Sequence, residues 1–124
     1  MIIKGKEFVF QMHGQTYHCA MDVAMSYIGG KWKTVVLWYL RNKTMRFGEL
    51  KKQIPQITEK MLSIQLKALE DDGVIKREVF AEVPLRVEYS LTDFGKTLVP
   101  VLEAIANWGR NLGETEGKMV EVKK

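Results

Sequence analysis

Lys60, Ser63 and Lys67 follow one another at three and four residues, a spacing that puts two cations and a hydroxyl on one face of a helix. Such groups donate hydrogen bonds and carry positive charge, which is the chemistry that phosphate oxygens and guanine edges accept. Thr58, Glu59 and Lys60 would occupy the first turn of the same helix. There Thr58 and Ser63 suit hydrogen bonds to phosphates or bases, and Lys60 suits guanine or phosphate. Glu59 suits a cytosine amino group and Ile64 a thymine methyl. Thr58 has a competing use as an N-cap hydroxyl, and Glu59 as an acid at the positive end of the helix. Arg46, Lys51 and Lys52 ahead of the helix, with Lys67 on it, offer phosphate contacts that position without reading sequence. Arg86 suits a groove or backbone probe, with an ion pair to Glu82 or Glu88 as its competing use.

The elements that must hold these groups follow from period and punctuation. Phe47, Leu50 and Ile54 recur at helical spacing until Pro55 stops the run. Thr58 opens a second helical segment through Leu62, Leu66 and Leu69, which Gly73 closes. Strand-like segments follow over 74–80 and 86–91, joined by a link that contains Pro84. Helix, turn, helix and hairpin make a winged helix-turn-helix, a mainly α fold with a small β-wing (α+β). Upstream, His13-Gly14 predicts a hairpin turn between strands over 7–12 and 15–19. Helical spacing at Met21, Ala24, Met25 and Ile28 precedes the break at Gly29-Gly30. Residues 31–42 read as a helix that is apolar almost all round, and therefore buried on more than one side. Thr92 caps a final helix with Leu98, Val101, Leu102, Ile105 and Trp108 along its stripe, which Pro100 should kink or split. One domain over 1–124 results. It has an arm at 1–19, a DNA-binding core at 20–91 with its wing at 74–91, a dimerisation helix at 92–112, and a frayed tail at 113–124.

The bulk properties narrow the function. A chain of 124 residues with 46% hydrophobic and 27% charged residues is an ordinary globular domain. No apolar run approaches the roughly 18 residues that span a bilayer, and Lys4 and Lys6 are not followed by a leader-like apolar run. A single cysteine suits a reduced cytoplasmic setting, with an intermolecular disulfide still open. Residues 31–77 hold eleven Lys or Arg against five acids, +6 within a chain of +4, so basic charge gathers on the helix-turn-helix. No phosphate loop, His–acid pair or nucleophile motif points to an enzyme, and no cofactor is expected. Met21 and Met25 near one end and Leu102, Ile105 and Trp108 near the other leave more apolar surface than one small domain hides. That predicts a homodimer whose two recognition helices read a palindromic double-stranded DNA operator. A winged helix used only for protein interaction is the alternative, and Lys60 and Lys67 argue against it.

Five segments are similar, in order and spacing, to the HxlR-type transcriptional regulators, relatives of the MarR-like winged helices. They are Gly29-Gly30-Lys31-Trp32-Lys33, Arg46-Phe47-Gly48-Glu49-Leu50, Ile57-Thr58-Glu59-Lys60-Met61-Leu62, Glu82-Val83-Pro84 with Arg86-Val87-Glu88-Tyr89-Ser90-Leu91-Thr92, and Asn107-Trp108-Gly109. The resemblance covers about residues 19–109 and implies a dimeric bacterial regulator acting on nearby promoters. Two departures stand out: Cys19 is followed by Ala20 where the family usually has Pro, and Pro84-Leu85-Arg86 replaces Pro-Pro-Arg. Because some members sense oxidants or electrophiles with a cysteine at this place, the resemblance makes Cys19 a candidate redox sensor. A small buried thiol is the competing use. His13, His18 and Cys19 offer three potential metal ligands without a fourth, so no metal site is expected. Trp32, Trp38, Tyr17, Tyr27 and Tyr39 suit core or interface more than an effector pocket, and no effector is named by the sequence.

Overall fold

In a computed structural model that describes residues 2–122, the chain opens with two small antiparallel hairpins. β1 (Ile2–Ile3) pairs with β2 (Lys6–Glu7), and β3 (Phe10–Met12) pairs with β4 (Gln15–Tyr17). Each turn is a positive-φ residue followed by glycine, Lys4-Gly5 and His13-Gly14, the backbone that two-residue hairpins need. The second hairpin is the expected one, with shorter strands. The first is an addition, because two-residue strands carry too little alternation to be read from sequence.

α1 (Ala20–Ile28) follows and ends at Gly29. α2 (Lys33–Leu40) is two residues shorter at each end than expected. Gly30, at φ +93°, holds the chain out of helix at its start. At its end the Arg41 guanidinium donates to the Trp38 carbonyl at 2.6 Å and stacks on the Trp38 ring. α2 packs against the later strand Arg86–Leu91 and the last helix Val99–Glu116 as well as the two helices that follow it, which accounts for apolar residues on nearly every side.

α3 (Phe47–Gln53) and α4 (Glu59–Asp71) are the helix-turn-helix, joined by a turn whose Ile54 and Ile57 are buried. α4 starts where the Thr58 hydroxyl accepts the Met61 N–H at 3.0 Å. It ends in a Schellman arrangement: the Val74 N–H donates to the Leu69 carbonyl and the Gly73 N–H to that of Glu70, both at 3.0 Å. Gly73 permits this with φ +74°.

The wing is β5 (Ile75–Phe80) against β6 (Arg86–Leu91), with Ile75 opposite Leu91 and Phe80 opposite Arg86. Met45 joins it from outside: its N–H donates to the Tyr89 carbonyl at 3.0 Å, and its carbonyl accepts the Tyr89 N–H at 2.8 Å. The expected final helix is two, α5 (Asp93–Lys96) and α6 (Val99–Glu116). Pro100 sits in the first turn of α6, where its missing N–H forfeits no helical bond, so it splits the segment and does not kink it. α6 also runs to Glu116, so residues 113–116 belong to the helix and not to a frayed tail. A glycine costs a helix only about 1 kcal/mol, and Gly113 falls late in an established run. The expected arm and tail also included Met1, Lys123 and Lys124, which lie outside the described residues.

The core gathers Val36, Leu37 and Leu40 of α2 with Leu50, Leu62, Leu66, Leu69, Ile75, Leu91 and Leu102. No polar or charged side chain among the described residues is buried. The fold therefore rests on apolar packing and backbone hydrogen bonds, and the charged side chains of the described residues are all at least partly exposed.

Candidate nucleic-acid interface

Burial divides α4 lengthwise. Leu62, Leu66 and Leu69 are inside with Met61 half-buried beside them, while Lys60, Ser63, Ile64 and Lys67 face solvent. The open face thus carries two ammonium groups, a hydroxyl and one apolar side chain on a helix whose other side is locked in the core. Thr58 and Glu59 are exposed at its first turn. The Thr58 oxygen already accepts the Met61 N–H, so the cap use is real and only the hydroxyl proton remains to be donated.

The cations differ in how committed they are. Lys60 forms no ion pair among the described residues. Lys67 Nζ donates to Asp71 Oδ1 at 2.8 Å. That hydrogen bond, and then the Asp71 charge, hold the Lys67 ammonium above its ordinary pKa of 10.5. Lys51 Nζ donates to the Pro55 carbonyl at 3.0 Å across the turn, while Lys52 is exposed. Arg46 stands exposed just before α3, its backbone N–H donating to Glu49 Oε1 at 2.8 Å.

Arg86 departs from the expected probe. Its Nη1 lies 3.1 Å from Glu88 Oε2, its Nε lies 3.1 Å from Glu82 Oε1, and its guanidinium stacks 4.0 Å over the Phe80 ring. The Nε–H is off the line to Glu82 and has no hydrogen-bond acceptor among the described residues, so that pair is Coulombic only. Both carboxylates named as the competing use are engaged at once. The wing tip beside this cluster is apolar, with Val83 and Leu85 fully or largely exposed.

A residue that sequence reasoning passed over, Arg77, lies instead in a groove between α4 and the wing, lined with Ser63, Leu66, Lys67, Glu70 and Tyr89. The signal that would have found it is strand register. Arg77 sits directly opposite Tyr89, on the same side of the ribbon as the buried pair Ile75 and Leu91.

Of the expected dimer residues, Met21 and Met25 on α1 and Ile105 and Trp108 on α6 are exposed, Trp108 at 69%. Leu102 is a correction: it is 3% exposed because it turns into the chain's own core against α2. Val101 and Leu112 extend the exposed stripe of α6 in its place. Cys19 is half-buried at the N-cap of α1, with the neighbouring His18 N–H donating to Asp22 Oδ2 at 2.9 Å. Among the described residues no three His, Cys, Asp or Glu side chains are placed so that they could hold a metal ion, so His13, His18 and Cys19 do not form a ligand set. The aromatics separate as well. Tyr17 and Tyr27 line a cleft with Asp71 and Asp72, whereas Trp38 and Tyr39 line a shallow apolar one with Leu102 and Ile105.

A helix-turn-helix with an open basic helix face and an adjoining wing defines a DNA-binding regulator of the winged-helix class. The family model described as HxlR-like helix-turn-helix matches residues 27–117, and the chain belongs to that family. It is 47% identical to an HTH-type transcriptional regulator of Methanothermobacter thermautotrophicus over 82% of this chain and 78% of that one. Among solved structures it is similar to the redox regulator HypR in its oxidized form (TM-score 0.74, 39% identity, 82% of this chain and 100% of that one). It also resembles the reduced form of the transcriptional regulator YodB from Bacillus subtilis (TM-score 0.67, 33% identity, 81% and 98%), which has further been solved diamide-treated and quinone-bound. No helix among the described residues is long and apolar enough to cross a membrane.

Proposed function

We propose that this transcriptional regulator binds a palindromic operator as a homodimer, with one α4 in each of two successive major grooves. The observation that carries this is the lengthwise split of α4, in which three buried leucines fix the helix and Lys60, Ser63, Ile64 and Lys67 are presented outward. The apolar faces of α1 and α6 support the dimer, since a two-fold axis through them would cover surface that a lone chain leaves in water. Footprinting on genomic fragments tests the proposal. The expected result is a protected palindrome with half-sites about 10 base pairs, one helical turn, apart. If even random duplex DNA fails to bind in a salt-dependent way at low ionic strength, the chain is a protein-interaction module instead.

Cys19 is the proposed switch. It stands at the start of α1, beside the proposed dimer face, and the similar solved structures include HypR, a redox regulator, and YodB in diamide-treated and quinone-bound forms. Diamide would take two electrons and two protons from the Cys19 thiol and a thiol of a second molecule, joining the two sulfurs, and a quinone would instead add to the Cys19 sulfur. Either product enlarges a half-buried side chain there and would shift α1. Cys19→Ser should bind the operator as the wild type does and no longer release it on diamide or quinone treatment. A mutant that still responds removes Cys19 from the role.

A further inference from the structure

We infer that Arg77, not Arg86, is the cation through which the wing holds a backbone phosphate of duplex DNA, and that Arg86 is an internal strut. The inference rests on the DNA-binding function proposed above and assigns the wing's part in it. Cross-strand pairs in the wing alternate between its two sides. Ile75–Leu91, Arg77–Tyr89 and Val79–Val87 share one side, and Lys76–Ser90, Glu78–Glu88 and Phe80–Arg86 share the other. The first side carries the buried residues Ile75 and Leu91 and forms the groove with α4. Arg86 is therefore directed away from the recognition helix, and its stacking on Phe80 and pairing with Glu88 on its own side agree with that parity.

The wing has three cations, and two are matched: Lys76 Nζ lies 3.3 Å from Glu78, and Arg86 lies 3.1 Å from both Glu82 and Glu88. Arg77 is exposed and forms no ion pair within 4 Å among the described residues. Across the groove stand the Ser63 hydroxyl and the Lys67 ammonium, the latter shared with Asp71. A strand of phosphates lying over this groove would meet donors from both walls, from helix and wing together. The one acid lining it is Glu70, which faces the same space and opposes the phosphate. A guanidinium suits the position because it binds phosphate with two parallel N–H donors.

The test is the salt dependence of binding to a fluorescent random-sequence duplex, read by anisotropy for the whole chain. Each phosphate contact contributes about 0.9 to the slope of log K against log salt. Arg77→Gln should lower the slope by about 0.9, and Arg77→Lys should restore most of it. The pair Arg86→Gln with Glu88→Gln, which leaves the net charge unchanged, should keep the wild-type slope. Circular dichroism melts confirm that each variant is folded at the assay temperature. A wild-type slope in Arg77→Gln, or a drop of that size in the Arg86 variant alone, overturns the assignment. Absence of salt-dependent binding by the wild type overturns the DNA-binding function itself, a distinct result.

Discussion

At Gly95 a methyl group would fall directly onto the Val74 carbonyl oxygen, a backbone atom that cannot swing aside. The same few residues are tied by Thr92, whose hydroxyl accepts the Gly95 N–H at 2.9 Å and donates to the Gly73 carbonyl at 2.6 Å. Gly95→Ala should therefore cost about 1–3 kcal/mol or more, the range for forced overpacking, read as a lowered midpoint in urea. Thr92→Val should cost about 1–2 kcal/mol, the range for a lost N-cap, while Thr92→Ser keeps the hydroxyl and most of the stability. An unshifted midpoint in Gly95→Ala would mean that α5 stands off the Val74 turn. At this scale the sequence was legible where one residue's use depends on its near neighbours. Lys60, Ser63 and Lys67 share a face because helical spacing alone decides it, and Thr58 caps because its partner is three residues away. Arg77 and Arg86 were not legible, because which side of a ribbon each takes depends on a register set by residues on the other strand.

Among the elements, α4 was the most legible, since its cap, its leucine stripe and its Gly73 stop all agree. α6 was less so: Leu102 and Ile105 lie on one stripe in sequence, yet α2 covers the first and leaves the second open. Only the position of a second helix decides that. The pair on the outer face of α4 gives a pH prediction. Lys67 holds its proton more tightly when folded, so the pair's stabilising effect is complete below pH 10.5 and is lost as pH rises through the raised folded value. Asp71→Asn should flatten the stability curve on that alkaline limb, as measured by melts across pH 9 to 11. An unchanged limb would show that the hydrogen bond does not persist in solution. Near neutrality Lys67 stays charged, so titration of this group gives DNA binding no pH dependence.

For the whole molecule, the decisive surface is the one left apolar by α1 and α6. Trp108, Ile105, Val101 and Leu112 recur at helical spacing on α6, and Met21 and Met25 lie exposed on α1. Trp108→Lys should shift the chain to monomer in sedimentation velocity while its circular dichroism stays native. Loss of avid operator binding should follow, since one half-site then acts alone. A dimer that survives the substitution would place the two-fold axis elsewhere.

The exchange of hydrogen bonds between Met45 and Tyr89 has a consequence for which DNA is tolerated. It ties the segment entering α3 to the middle of the wing, so helix-turn-helix and wing form one stiff caliper. A caliper of fixed gap fits only a phosphate ridge of matching width, whatever bases lie beneath it. Base pairs that the protein never touches would then be selected through groove width and stiffness. Stiff A-tracts and pliable pyrimidine–purine steps, placed between half-sites, should differ in affinity even with both half-sites held constant.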